Sequence, residues 1–167
     1  MAMTESIESV EGTEMYRISP LDEIDPFLMT IVSSSDLWMF LSSTGGLTAG
    51  RVEPDLCIFP YETDDRLHHR SGRVGPVTVL RVRQPSGTTV WEPFTTRGPH
   101  TRSSLLKSVL GNAVIFEEQH LELGLTIRYR WAPSVRFGWV RTVSLTRHGN
   151  GDPLTVEIVD GLLDVMP

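Results

Sequence analysis

From Val77 the chain reads VTVLRVR and from Leu125 it reads LTIRYRW, so apolar residues alternate one for one with polar or charged ones. Successive side chains of a strand point to opposite faces, and this period of two gives each segment one apolar and one polar side. A helix would repeat its faces every three to four residues instead. The same reading extends to LMTIVSS from Leu28, DLWMFLSS from Asp36, TTVWEPF from Thr88, NAVIFEEQH from Asn112, FGWVRTVSLTRH from Phe137 and PLTVEIVDG from Pro153. These segments are rich in the β-branched and aromatic residues that suit a pleated, half-buried surface.

Between them lie QPSG (84–87), LGN (110–112), ELG (122–124) and HGNGDP (148–153), each with the Gly, Asn or Pro of a tight turn. Short strands joined by tight turns predict antiparallel neighbours. TRSSLLKSVL, from Thr101 to Leu110, is the one stretch that also fits a helix. Ser103, Leu105, Lys107 and Val109 fall on one side of a strand, and the segment is read as strand. The lack of a helix-period segment between strands argues against a βαβ architecture, and an all-β antiparallel sandwich is expected. Its length of 167 residues suits one core, placed at 16–167, with the acidic start MAMTESIESVEGTEM (1–15) read as a disordered or tag-like tail.

Charge narrows the function. A formal charge of −6 would repel a phosphate backbone, so nucleic acid is not an expected partner. The arginines from Arg97 to Arg102, and Arg128, Arg130, Arg136 and Arg141, are read as solvated strand faces. Cys57 is the single cysteine, which removes an intrachain disulfide and a thiolate zinc cage and suits a reducing cytoplasm. No apolar run nears the roughly 20 residues that span a bilayer, and the start lacks the pattern of a signal peptide.

Two stretches concentrate polar chemistry. SSTGGLTAGR, Ser42 to Arg51, sets Gly45 and Gly46 among hydroxyls, but lacks the Lys-Ser/Thr and following helix of a phosphate loop; Pro54 argues against that helix. It reads first as a turn between strands, and alternatively as a loop where a ligand approaches the backbone closely. FPYETDDRLHH gathers Glu62, Asp64, Asp65, His68 and His69. Neighbours in an extended chain face opposite ways, so a solvated loop comes first, a polar ligand site second, and a metal site last. Asp64 and Asp65 with either histidine would be the acid and base of a stand-alone sugar epimerase. Trp91, in TVWEPF beside a turn, could stack on a sugar ring.

The order SSTGGLTAGR, TDDRL, VTVLRVRQPSGTTVWEPF, VIFEEQHLELGLTIRYRW, VRTVSLTRHGNGDPLTVEI resembles the N-terminal sandwich domain of the inverting disaccharide phosphorylases related to cellobiose phosphorylase. The likeness spans roughly Leu37 to Val159, and departs from the family pattern where Leu47 and Thr48 follow Gly-Gly. It implies a galactose-mutarotase-like supersandwich, in truncated form, from the N-terminal part of a larger carbohydrate-active protein. It also implies that Ser43, Thr44, Gly45 and Gly46 line a sugar or phosphate site shared with another domain or chain. The catalytic acid would lie on a C-terminal helical barrel, so no catalytic residue, cofactor or metal is expected here. The function expected is a non-catalytic carbohydrate-binding module, with Ser43, Thr44, Gly45, Gly46, Arg51, Asp64, Asp65 and Trp91 as ligand-binding residues. A homodimer closed through a sheet edge is expected, and a purely structural oligomerisation module is the remaining alternative.

Overall fold

The alternation becomes three antiparallel sheets in the computed structural model, which describes residues 4–95, 98–149 and 151–166. Met1 to Met3, Thr96, Arg97, Asn150 and Pro167 lie outside the described residues. In chain order the strands are β1 (Thr4–Val10), β2 (Thr13–Ser19), β3 (Leu28–Ile31), β4 (Leu37–Ser42), β5 (Leu47–Arg51) and β6 (Cys57–Phe59). After a single helical turn, α1 (Asp64–Leu67), come β7 (Gly75–Gln84), β8 (Gly87–Trp91), β9 (Thr101–Ser108), β10 (Val114–His120), β11 (Leu125–Ser134), β12 (Gly138–Arg147) and β13 (Thr155–Leu163).

The large sheet runs β1-β2-β9-β10-β11-β12; the two smaller ones run β3-β4-β5-β6 and β13-β7-β8. One face of the large sheet packs on both small sheets. Leu105, Val114, Phe116, Tyr129 and Trp131 meet Met39, Leu41, Leu47 and Phe59 of the β3–β6 sheet, while Leu125 and Ile127 meet Leu80, Val82 and Trp91 of the β7–β8 sheet. This is the layered, all-β sandwich that the period of two requires. Thr101–Ser108 is strand, as its alternation indicated. No helix among the described residues is long and apolar enough to cross a membrane.

One expectation is corrected. Residues 4–15, read as part of a tail, belong to the β1–β2 hairpin, whose β2 pairs with β9 from Met15↔Ser108 to Ile18↔Leu105. The acidic residues that suggested a tail fall on an edge hairpin, where one row of side chains stays in water, and Met15 is buried beneath it.

The large sheet is strongly curled. Five strand intervals in a flat sheet would hold β1 and β12 about 24 Å apart. Yet Glu8 of β1 and Thr146 of β12 line one cavity, and Val10 and Glu11 of the first hairpin line another with Thr142 and Ser144 of β12. The face turned away from the small sheets is therefore the inside of a trough.

Candidate functional site

Ser42 to Gly46 closes the hairpin from β4 to β5: the Ser42 N–H donates to the Gly46 carbonyl at 2.8 Å and the Gly45 N–H to the Ser42 carbonyl at 2.9 Å. Gly45 sits at φ +98°, a conformation that a side chain rarely adopts. The hydroxyls face inward and are engaged. Ser42 Oγ accepts from the Thr44 N–H at 3.0 Å and lies 2.7 Å from His68 Nδ1; Thr44 Oγ1 donates to the His68 carbonyl at 3.0 Å; Ser43 Oγ accepts from the Phe27 N–H at 3.1 Å. The two stretches singled out in the sequence are thus brought together, the turn being clamped onto the end of α1. Thr44 and Gly45 border a cleft with Thr78, Phe94 and Tyr129, but its volume of about 20 Å³ is room for a single water. Burial pushes the Tyr129 phenol well above its ordinary value.

The other sequence candidates disperse. Asp64 and Asp65 are exposed, and Asp65 accepts from Thr63 Oγ1, a bond that holds its carboxyl below the usual range. Among the described residues no hydrogen bond or ion pair joins either aspartate to His68 or His69, and no three His, Cys, Asp or Glu side chains gather to hold a metal ion. Arg51 stands exposed at the far end of β5, opposite Leu37, away from the glycine turn. Trp91, a candidate sugar platform, is instead 4% exposed, and its indole N–H donates to Glu118 at 2.9 Å. The adjacent turn does not lift it into water, because its register with Leu80 places it on the core face.

The trough holds a denser constellation. VIFEEQH, the sequence of β10, puts Val114, Phe116 and Glu118 on the core face and Ile115, Glu117 and Gln119 on the trough face. Both adjacent glutamates are buried, 2% exposed for Glu117 and fully enclosed for Glu118. A buried carboxylate needs donors. Glu118 accepts from Trp91, from the Phe94 N–H at 2.9 Å and from Ser103 Oγ at 3.0 Å. Glu117 accepts from Arg17 Nη1 at 2.8 Å and from Arg128 Nε, while Arg17 also bonds Glu8 at 2.9 Å. Arg17 comes from β2, Glu117 from β10 and Arg128 from β11, so the floor of the trough joins the β10–β11 hairpin to a strand 100 residues earlier in the chain.

Around this floor stand Gln119, Thr126, Thr146 and His148, enclosing about 270 Å³, close to the lower end of small-ligand sites at roughly 300 Å³. Thr126 Oγ1 lies 2.8 Å from His148 Nε2. Burial alone would raise the Glu117 carboxyl, but the hydrogen bonds and charges of Arg17 and Arg128 outweigh it and hold the group below its ordinary value of 4.5. Glu117 is therefore a fixed carboxylate at neutral pH, able to accept hydrogen bonds and unable to serve there as a general acid.

A stability prediction follows from that sign. A carboxyl depressed in the folded state contributes stability that is present above its unfolded value and lost as pH falls through the folded one. The parent protein should lose stability below about pH 4.5, and Glu117→Gln should lose less of it over the same range. Some slope should remain from Asp160: burial raises its carboxyl, but bonds from Arg141 and Thr78 hold it low. At pH 7 the variant should be less stable by about 1–2 kcal/mol, because Arg17 and Arg128 lose a buried partner. Urea unfolding at a series of pH values checks both; equal pH slopes would remove Glu117 from this role.

None of the trough residues stood out in the sequence, where Arg128 and Arg130 read as a solvated face. The available signal was the Glu-Glu pair in the middle of an apolar strand. Neighbours in a strand face opposite ways, so one of the two must point toward a core. Among known proteins, no family model matches the chain and no curated protein matches it.

Proposed function

We propose that the chain is a non-catalytic carbohydrate-binding module, part of a larger carbohydrate-active protein, and that it takes its sugar in the trough of the large sheet. The observation that carries this reading is the buried Glu117 carboxylate held between Arg17 and Arg128 on the floor of an open polar cavity. A sugar presents vicinal hydroxyls that donate and accept side by side. A fixed carboxylate, a guanidinium and an amide such as Gln119 match that pattern with planar groups that lose little freedom on binding. The absence of a proton to give from Glu117 supports binding over acid catalysis at this place. The supersandwich likeness supports the same reading, and a cytoplasmic location, a helical-barrel partner domain and a homodimer belong to it; β13 leaves one sheet edge open for such a contact.

Isothermal titration of the chain with a panel of neutral and anionic mono- and disaccharides should give millimolar to micromolar binding for at least one. Arg128→Ala should weaken it by about tenfold or more, the loss of one charge-assisted contact. The glycine-turn variant Thr44→Ala should leave it unchanged. No heat with any member of the panel would overturn the proposal; loss in Thr44→Ala with retention in Arg128→Ala would move the site to the glycine turn.

A further inference from the structure

The trough does not end at Glu117. On its other side Arg128 also borders a recess of about 70 Å³, lined by Val10, Glu11, Ile115, Arg130, Thr142 and Ser144. Arg128 and Arg130 are two positions apart on β11, so they lie on one face about 6.8 Å apart along the strand. Directly across, in register on β12, stand Ser144 opposite Arg128 and Thr142 opposite Arg130. The result is a grid of two guanidinium groups and two hydroxyls.

Donor capacity in this grid is unused. Arg128 gives its Nε to Glu117, and its two terminal nitrogens make no hydrogen bond to any described residue. Arg130 makes no hydrogen bond or ion pair with any described residue, although it is half-buried. Ser144 and Thr142 are likewise without side-chain hydrogen bonds among the described residues. The described carboxylates near the recess are Glu117, already shared by Arg17 and Arg128, Glu8, bonded to Arg17, and Glu11, exposed at the tip of the first hairpin. Guanidinium groups bind oxyanions through paired N–H donors, and hydroxyls complete the coordination. The volume takes a small oxyanion and is far too small for a sugar ring, since ligand sites begin near roughly 300 Å³.

Resting on the reading of the trough as a sugar site, we infer that its ligand is an anionic saccharide. The ring lies over Glu117, Gln119 and Thr126, and its phosphate or carboxylate enters the recess between Arg128, Arg130, Thr142 and Ser144.

The test is a calorimetric titration of the whole chain with glucose, galactose and mannose, with their 6-phosphates and with the matching uronates, at low and high salt. At least one anionic sugar should bind tenfold or more tightly than its neutral counterpart, and the difference should shrink as salt rises. Arg130→Gln should bring the anionic sugar down to the affinity of the neutral one. Its melting temperature should stay near that of the parent, because the side chain has no partner to lose. A preference confined to the 6-phosphates assigns the recess to phosphate, and one confined to the uronates assigns it to a carboxylate; either supports the inference. Equal binding of neutral and anionic sugars would overturn it while leaving the carbohydrate-binding module intact. No binding by any probe would overturn both. An anionic preference that survives unchanged in Arg130→Gln would place the anion elsewhere and overturn the assignment of the recess.

Discussion

Gly46→Ala should lower the melting temperature by roughly 6–12 °C, the effect of about 3 kcal/mol in a chain of this length. A Cβ at this position would lie 2.0 Å from the Leu67 carbonyl oxygen and 3.2 Å from the Leu67 carbonyl carbon. Both are backbone atoms, so no rotamer change relieves the overlap, and the end of α1 must move away from the hairpin. Moving it breaks the bonds from His68 to Ser42 and Thr44 that clamp the two segments together. Gly161→Ala is the control: its Cβ would meet nothing within 4 Å, and it should shift the transition by less than about 2 °C. Differential scanning calorimetry on the two variants decides the matter. If Gly46→Ala melts with Gly161→Ala, the close approach of the turn to α1 is not a constraint on this fold.

Glu118→Ala should be more damaging, costing about 3–5 kcal/mol, and could prevent folding altogether. The carboxylate has no exposed surface and receives Trp91 Nε1, the Phe94 N–H and Ser103 Oγ. These donors come from β8, from the segment after it and from β9, so one side chain on β10 joins the β7–β8 sheet to the large sheet. Truncation leaves at least the Trp91, Phe94 and Ser103 donors without their acceptor, each worth about 1–3 kcal/mol when orphaned, with partial relief from water or local shifts. Glu118→Gln keeps the shape and part of the acceptor capacity, and should lose roughly half as much. The readouts are urea unfolding and the red shift of tryptophan emission as Trp91 and the other buried indoles meet water. A Glu118→Ala protein as stable as the parent would show that the network is dispensable.

The strands with clean alternation were legible because each buries one face against a sheet: Leu80 and Val82 inward with Arg81 and Arg83 outward is the pattern of VTVLRVR. β5 was harder to see. In LTAGR four successive residues are buried, so the strand carries no alternation, and its glycine read as loop. β1 and β2 were hidden for the opposite reason, since an edge hairpin keeps many polar residues in water and resembles a tail. The glycine turn was legible as a turn, but not its partner: that the carbonyl of Leu67 sits against Gly46 follows from how α1 docks, which no local spacing encodes. The trough was least legible. Arg17, Glu117 and Arg128 are ordinary charged residues one by one, and they form a group only because the sheet curls and because β2 and β10 flank the same strand.

The pairing of the first hairpin with the middle of the chain also has a consequence for synthesis. Arg17 and Glu117 are 100 residues apart, and Arg83 and Glu157 are 74 apart. At about 5–20 residues per second, a ribosome takes about 5–20 s to pass from the first of these positions to the second. Until β9 has been made, β1 and β2 can form no more than an isolated hairpin, which is marginal in water, and from its own synthesis until that of β13, β7 exposes the edge that β13 later covers. Such distant pairings also slow the search for the native state once the chain is complete. The order of translation and the order of assembly therefore run against each other at the trough: one wall is made first, and takes its place only after the floor exists to receive it.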